Sequence, residues 1–282
     1  MLLGADIKVK IMRKCFMTNN PLFSIIVVSY NASALIKDTV DSILRQTFDD
    51  YEIVVKDACS TDDTIAQIPE SDRIRLFQSK DSGIYDGMNM AIKEAKGRFL
   101  HFLNCGDKFA SDDVLDQVAG FIRSSEIRDG IVYGNCFYGN IYRKQPSKVT
   151  PFFLYRTPMC HQSMFFSRTV FDELGLYDLS FKITADYNCT VRAFKNHIPF
   201  YYLNIPVCRY LGGGVSESVK GIQIKTKEYQ RIYKTYYSAW ERFKYELLVA
   251  LSLRRLRYWV LSDKSPKFLR EMYHKAVNKV NK

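Results

Sequence analysis

The fold of this 282-residue chain is decided by residues 81–107, DSGIYDGMNMAIKEAKGRFLHFLNCGD. A polar turn that starts at Asp81 precedes a helix over about 84–96, and a short apolar strand from Arg98 to Leu103 follows. The strand runs into a second polar turn that ends on Asp107. Open α/β folds bind ligands at the edge of the sheet where such turns meet. The stretch therefore predicts an α/β protein whose ligand site is lined by both turns.

The sequence before residue 81 repeats this alternation. Phe23–Ser29 and Tyr51–Lys56 are short β-branched runs, which are typical of strands buried on both faces of a parallel sheet, and Arg73–Phe77 is a third strand. Apolar residues at helical spacing between 35 and 44 predict a connecting helix, and the polar turn 57–64 is predicted to open another. Right-handed βαβ units and a largely parallel sheet follow from this order.

The pattern is looser after residue 107. It predicts helices over 111–123, 168–174 and 185–195, strands over 130–134, 164–166, 200–203 and 207–211, and a hairpin over 137–143. The proline-flanked segment 146–158 is predicted to be an irregular, mobile loop, and Gly212–Ser216 a flexible one. From Ser218 to the end the pattern is helical and basic, with a break near Ser265.

Charge divides the chain into parts. The net charge is +11, and residues 217–282 hold 16 Lys and Arg against 6 Asp and Glu, or +10, which leaves +1 for residues 1–216. We therefore expect a flexible extension over 1–20, a nearly neutral domain over 21–216 and a basic helical region over 217–282. A basic region of this kind suggests an anionic partner, either a membrane surface or nucleic acid.

The cysteines and the apolar runs bound the cellular setting. Seven cysteines without a Cys-x-x-Cys pair indicate neither a zinc site nor a disulfide framework, so a reducing compartment is expected. No apolar run approaches the roughly 18–20 residues that a membrane span needs. The first 20 residues lack the apolar core of a signal peptide, and Met12 or Met17 are alternative starts.

Three carboxylates stand where a catalytic cleft would need them. Asp57 and Asp107 follow apolar strands, so they are expected to share the cleft, although either could simply cap a turn. Asp186 begins a helix, where it could act as a base or only favour the helix dipole. A sugar nucleotide would use all three, because its uracil N–H needs an acceptor, its diphosphate a divalent cation and the attacking hydroxyl a base.

Several motifs in order resemble one family. They are SIIVVSYN (24–31), EIVVKDACSTDDT (52–64), DSGIYDGMN (81–89), FLNCGD (102–107) and TADY (184–187). Over about 22–216 the chain resembles the inverting glycosyltransferases of family 2, which have the GT-A fold, and within them a branch that acts in bacterial surface-polysaccharide assembly. The resemblance implies transfer of a sugar from a nucleotide sugar, expected to be a UDP-sugar, to a saccharide or polyprenyl-linked acceptor, with Mn²⁺ or Mg²⁺ as cofactor.

The resemblance also implies roles for residues. Asp57 would accept from the uracil N–H, Asp107 would bind the metal and Asp186 would deprotonate the acceptor hydroxyl. Residues lining the cleft for the nucleotide and sugar would be Asn31, Asp81, Asn89 and Asn104. His161 and Gln162 would shape the sugar or acceptor site, although His161 could equally be a core histidine, and the glycine loop from Gly212 would close over the diphosphate.

One position departs from the family pattern. The family carries Asp-x-Asp at the metal site, and Cys105 stands where the first carboxylate would be. A single carboxylate leaves more of the coordination shell to phosphate and water, so weak metal affinity is expected without the sugar donor.

The basic region is predicted to lie on anionic lipid at the inner face of the plasma membrane. Its interfacial helix would use Arg254, Arg255, Arg257, Tyr258 and Trp259, and the alternative is a solvated helical face. Two rival functions remain at this stage. A nucleic-acid-binding or scaffold protein is disfavoured by the neutral body, and a sugar nucleotidyltransferase by the lack of a basic glycine-rich loop near the N-terminus.

Overall fold

A computed structural model describes residues 20–212, 218–251, 259–260, 262, 265–266, 268–269 and 271–272. The strands are β1 (Phe23–Ser29), β2 (Tyr51–Asp57), β3 (Ile74–Gln78), β4 (Phe99–Phe102), β5 (Lys108–Phe109), β6 (Ile131–Tyr138), β7 (Ile141–Arg143), β8 (Met164–Ser167) and β9 (Phe200–Tyr210). The helices are α1 (Ile36–Leu44), α2 (Ile84–Glu94), α3 (Val114–Ser124), α4 (Pro151–Arg156), α5 (Arg168–Leu174), α6 (Ala185–Lys195), α7 (Val219–Tyr236) and α8 (Ala239–Leu251).

The described strands join into one sheet in the order β3-β2-β1-β4-β8-β6-β9-β5, with β7 beside β6. β1 to β4 are mutually parallel, whereas β8 runs antiparallel to both β4 and β6. The predicted α/β class is confirmed. β6 also pairs in parallel with β9, and the parallel strands β1–β4 form one side of the sheet. Their carboxyl ends share one edge, where the register sets Ser29 beside Asp57 and Asp57 beside Gln78.

Apolar side chains on both faces of the sheet form two cores. Alternate residues of β1 point to opposite faces, so Ile26 joins the core under α2 and α6, whereas Ile25 joins the core under α1 and α3. This explains why the strand reads as a continuous apolar run. The sheet is therefore covered by helices on both faces, and its polar residues are left for the edge.

Three local predictions were wrong. The turn 57–64 leads only to a single 3-10 turn, Ile65–Gln67, because Pro69 holds the preceding Ile68 in an extended conformation. The segment 146–158 is not an irregular loop, since it contains α4. Pro151 lies in the first turn of this helix, and Thr150 caps it, because its Oγ1 accepts from the N–H of Phe153 at 3.1 Å. The two strands predicted over 200–211 are one strand, β9, which accommodates Pro206 at a register shift against β6.

The C-terminal helices pack on the body. Ile232 of α7, Tyr237 just after α7 and Tyr245 of α8 are buried in the same core as Tyr155 of α4. The predicted helical extension is thus present, and the division at residue 216 stays a prediction. Residues 1–19, 213–217, 252–258 and most of 261–282 lie outside the described part. The predicted N-terminal extension except Asn20, and the predicted flexible loop Gly212–Ser216 except Gly212, are therefore outside it. Within the described residues, no helix has the length and apolar character that a membrane span requires.

Candidate active site

Asp57 lies at the end of β2 with its carboxylate fully buried. Its Oδ1 accepts from the hydroxyls of Ser29 (2.9 Å) and Ser60 (2.6 Å), and its Oδ2 from the N–H of Ser60 (2.8 Å) and the amide of Gln78 (3.3 Å). Burial alone would raise the pKa of this carboxyl, but the hydrogen bonds outweigh it and hold the pKa below its usual range. Asp57 is therefore an ionised carboxylate whose acceptor positions are all in use.

Asn31 ties the turn after β1 to the turn after β2. Its backbone is left-handed, with φ of 49°, and its Oδ1 accepts from the N–H of Thr61 at 2.9 Å. Its own N–H donates to Ser60 Oγ at 2.9 Å. The Asn31 side chain thus braces the same turn that surrounds Asp57.

The turn before α2 is fixed by a buried ion pair that the sequence reading missed. Lys56 of β2 is fully buried, and its ammonium bonds to Asp81 Oδ2. The other oxygen of Asp81 accepts from the N–H of Gly83 at 3.0 Å. A charged residue inside an apolar strand is a signal that could have marked this position, because lysine is almost never fully buried without a partner.

Asn89 bridges α2 to the segment before α6. Its Nδ2 donates to the carbonyl of Tyr177, and its Oδ1 accepts from the N–H of Tyr177, both at 2.9 Å. Both ends of the carboxamide are therefore engaged by one residue. The predicted contact of Asn89 with a sugar donor would use the second N–H of Nδ2 or the second lone pair of Oδ1.

Asp107 is buried between β9 and the 3-10 turn His161–Ser163. Its Oδ1 accepts from the N–H of Leu211, and its Oδ2 from the amide of Gln162, both at 2.9 Å. Burial raises the pKa of this carboxyl to about 6, although both hydrogen bonds act to lower it. The structure thus brings together the predicted metal ligand and the predicted site residue Gln162.

The polar turn of Asp107 has oxygen ligands suited to a divalent cation. The backbone carbonyl of Asn104 accepts a hydrogen bond from the N–H of Asp107 at 2.9 Å. The side-chain Oδ1 of Asn104 is buried and has no hydrogen-bond partner among the described residues. Cys105 does not suit this cation, because sulfur is a soft ligand. Burial first and then the charges of Asp107 and Asp57 raise the pKa of its thiol to about 12, so it also stays protonated. No three His, Cys, Asp or Glu side chains of the described residues are grouped to hold a metal. One carboxylate and one amide oxygen nevertheless fit Mg²⁺ or Mn²⁺, which take further ligands from phosphate and water.

Asp186 is half-buried in the first turn of α6. Its Oδ1 lies 2.8 Å from the hydroxyl of Tyr85, which also lies 2.7 Å from the carbonyl of Ile183. Burial, followed by the charge of Asp186, raises the pKa of Tyr85 well above its usual value, so the phenol stays a donor. Among the described residues no donor reaches Oδ2 of Asp186, which leaves this oxygen available to a substrate.

His161 is part of an aromatic cluster between the carboxylates. Its Nε2 lies 2.8 Å from the hydroxyl of Tyr177, and its ring stacks on Phe102 at 5.0 Å. Tyr177 in turn packs on Tyr85, with ring centroids 5.6 Å apart. Burial lowers the pKa of His161, opposed by the charge of Asp186, so a neutral ring is favoured. The cluster links the surroundings of Asp186 to Gln162 and hence to Asp107.

Comparison with known proteins gives the family. Residues 24–175 match the model of "Glycosyl transferase family 2". A "PGL/p-HBAD biosynthesis glycosyltransferase" of Mycobacterium bovis is 34% identical over 207 residues, which cover 71% of this chain and 80% of that protein. This chain is therefore a member of glycosyltransferase family 2, and the resemblance seen in the sequence is confirmed.

Solved structures agree with this fold. Staphylococcus aureus TarS in complex with UDP-GlcNAc has a TM-score of 0.57 at 20% identity, over 72% of this chain and 64% of that chain. The mannosyltransferase PcManGT of Pyrobaculum calidifontis, in complex with GDP-Man and Mn²⁺, has a TM-score of 0.54 at 20% identity, over 68% of this chain and 57% of that one. The chain thus spans less than two thirds of the length of these GT-A enzymes, and at this identity the likeness shows the fold alone.

Proposed function

We propose that this chain is an inverting, metal-dependent glycosyltransferase that moves a hexosyl or N-acetylhexosaminyl group from a UDP-sugar to a saccharide or lipid-linked acceptor in surface polysaccharide biosynthesis. The observation that carries the proposal is the placement of Asp186. Its carboxylate is held at one oxygen by Tyr85 of α2, in the segment that also contains Asp81, and its other oxygen meets no donor among the described residues.

In the proposed reaction, the oxygen of the acceptor hydroxyl attacks the anomeric carbon, and Asp186 Oδ2 accepts the proton of this hydroxyl. The bond from this carbon to the diphosphate oxygen breaks on the opposite face, so the configuration inverts. Tyr85 donates to Oδ1 at 2.8 Å and thereby orients the carboxylate. A base in this position typically contributes about 10²–10⁴-fold to the rate.

Asp107 and Asn104 would hold the metal. A bound Mg²⁺ or Mn²⁺ stabilises the negative charge that develops on the departing diphosphate. The raised pKa of Asp107, about 6, means that in the metal-free chain a proton competes with the cation for this carboxylate increasingly as the pH falls toward that value.

Asp57 is proposed to recognise the uracil base. Since its four acceptor positions are filled, a uracil N–H would replace the longest of these bonds, the one from Gln78 at 3.3 Å. Of the relatives, TarS is described with UDP-GlcNAc and PcManGT with GDP-Man, which supports a nucleotide sugar as donor and leaves its base to experiment.

A panel of sugar nucleotides tests the function. The purified chain with Mn²⁺ is expected to release nucleoside diphosphate from one UDP-sugar in preference to the GDP- and TDP-sugars, and UDP with Mn²⁺ is expected to raise its unfolding temperature. Equal stabilisation by duplex DNA, without release from any sugar nucleotide, would contradict the proposal and favour a nucleic-acid-binding protein.

The C-terminal helices are proposed to rest on an anionic membrane at the cytoplasmic face, near a lipid-linked acceptor. On α8, Trp240, Phe243 and Leu247 recur at helical spacing and are 69%, 60% and 48% exposed, although large apolar side chains usually face a core. The surrounding region carries the excess of basic residues, and Trp259 is also exposed. Apolar anchors beside cations are what an interfacial helix requires. The predicted contacts of Arg254, Arg255, Arg257 and Tyr258 lie outside the described residues.

Replacing Trp240, Phe243 and Leu247 together by Ala is expected to weaken binding to phosphatidylglycerol vesicles by about 100-fold or more, because each buried large side chain contributes on the order of 1–2 kcal/mol. Sedimentation with vesicles measures the change, with phosphatidylcholine vesicles as the uncharged reference. Ile141→Ala with Tyr142→Ala, on the exposed β7, is the matched control. Unchanged sedimentation of the triple variant at low salt would remove this face from the proposal.

A further inference from the structure

Glu228 of α7 is a buried carboxylate directed at the segment that leads into α6. Its Oε1 accepts from the N–H of Lys182 at 2.6 Å. Its Oε2 accepts from the N–H groups of Ile183 (3.1 Å) and Thr184 (3.0 Å) and from the Thr184 hydroxyl (2.9 Å). Four donors thus converge on one side chain that lies 44 residues further along the chain than Thr184.

These bonds hold the three residues that lead into α6, up to its N-cap residue Thr184. The side chain of Thr184 makes no capping bond of its own, and its hydroxyl donates to Glu228 instead. The N–H of the N-cap residue is among those that need an acceptor at the start of a helix, and a negative charge is favoured at that end of the helix dipole. Hydrogen bonds to an ionised acceptor are also stronger than those between neutral groups. Glu228 therefore fixes where α6 begins.

A second contact from α7 reinforces the same segment. Arg231 lies one turn beyond Glu228, with its guanidinium over the ring of Phe181 at 4.2 Å and 2.8 Å from Ser180 Oγ. It also lies 3.8 Å from the carboxylate of Asp178. Residues 178–184 are thus held along one face of α7.

The segment held by α7 determines the position of Asp186. The N–H of Ile183 donates to Glu228. The single hydroxyl proton of Tyr85 is shared between the carbonyl of Ile183 and Asp186, which lie 2.7 and 2.8 Å from the phenol oxygen. Asp186 follows within the first turn of α6. A shift of about 1 Å in a reacting group can cost about 10²-fold in rate.

We propose that Glu228 is a positioning residue for Asp186, so that α7 couples the C-terminal region to the proton-transfer step. The inference rests on the proposed role of Asp186 as base. It assigns to the C-terminal region a part in the reaction that is separate from membrane binding.

The test is the variant Glu228→Gln. Its activity is measured as the release of UDP from the UDP-sugar that the donor panel selects. The amide keeps the shape of the side chain but presents N–H₂ where one backbone N–H now donates. We expect kcat per folded molecule to fall by about 10- to 100-fold, with the dissociation constant of that UDP-sugar unchanged within about twofold. Glu246→Gln is the matched control, because this carboxylate of α8 accepts from Tyr155 at 2.9 Å and reaches no part of α6. Its kcat should equal that of the wild type.

Each outcome separates this inference from the proposed function. If Asp186→Asn is inactive while Glu228→Gln turns over within about twofold of the wild type, the positioning role is wrong and the base stands. A loss of UDP-sugar affinity equal to the loss of kcat would also overturn it, because the damage would then be general. Should Glu228→Gln not fold, Thr184→Val removes only the hydroxyl bond and is expected to lower kcat several-fold. An unchanged kcat in Thr184→Val would count against the role in the same way.

Discussion

Replacing Asp186 with Asn is expected to lower the rate of sugar transfer by about 10²–10⁴-fold, because the proton of the acceptor hydroxyl then has no base in reach. The affinity for the UDP-sugar should stay unchanged, since the proposed contacts of Asp186 are with the acceptor. Steady-state kinetics give the rate, and calorimetric titration with the UDP-sugar gives the affinity.

The variant should fold as the wild type does. Asn has almost the shape of Asp, and its amide oxygen can still accept from Tyr85, which makes the 2.8 Å bond at Oδ1. The position is only half-buried in the first turn of α6, so no buried donor is left without a partner. A loss of activity can therefore be assigned to the missing base and not to unfolding.

Asp112→Asn is the matched control for this variant. Its carboxylate lies 3.4 Å from the guanidinium of Arg45, in the turn before α3 and outside the segment that leads into α6. We expect Asp112→Asn to keep the turnover of the wild type within about threefold. Full turnover in Asp186→Asn would identify another group as the base and would leave Asp186 as a helix-start residue.

Local sequence patterns predicted strands β1–β4 and their parallel direction, because this part of the fold is built from units that are local in the sequence. In β1 and β2 a continuous apolar run is enough to indicate a strand covered on both faces, and the helix between them fixes the parallel direction. The insertion of β8 between β4 and β6 depends on pairings over long sequence distances. No periodicity in the chain encodes those pairings, and β9 was divided wrongly because Pro206 breaks the pattern without breaking the strand.

The site divides in the same way. Asp57 and Asp107 were located from their position after strands, and the charges of both reach Cys105 in the folded chain. The partner of Asp107, Gln162, is 55 residues away. The carboxylate that holds the start of α6, Glu228, lies in a region predicted only to be helical and basic. Such contacts come from tertiary packing. Only Lys56 carried a local signal, as a cation within a buried strand.

Replacing Asp107 with Asn is expected to lower the metal-dependent rate by about 10²–10³-fold, because stabilisation of the departing charge by a metal is worth several kcal/mol. An amide oxygen is a weaker ligand than a carboxylate, and Asp107 is the carboxylate of this turn. The rate of UDP release from the UDP-sugar, as a function of Mn²⁺ concentration, measures the effect. Retention of the wild-type response to Mn²⁺ would place the metal elsewhere.

The same replacement should leave the fold as stable as before or make it more stable at neutral pH. Burial raises the pKa of Asp107 to about 6, above the usual value of 3.8 for an Asp carboxyl. The folded chain therefore binds this proton more tightly than the unfolded chain, so the free energy of unfolding falls as pH rises from about 4 to about 6. Two pKa units correspond to at most about 3 kcal/mol, less about 1 kcal/mol for a weakened hydrogen bond.

The pH dependence of the difference between the two metal-free proteins isolates Asp107, because every other carboxyl is common to both. Urea unfolding at about pH 4.5 and about pH 7.5 should show the variant gaining stability relative to the wild type as pH rises. Asp113→Asn, at the start of α3, is the flat control, because the Ser111 hydroxyl bond lowers the pKa of that carboxyl and it is ionised at both pH values in the folded and the unfolded chain. A wild type more stable than Asp107→Asn at the higher pH would mean that the buried charge is compensated in the folded chain. If Asp107 binds the metal at a cost to the stability of the fold, Asp107→Asn must lose activity and gain stability together.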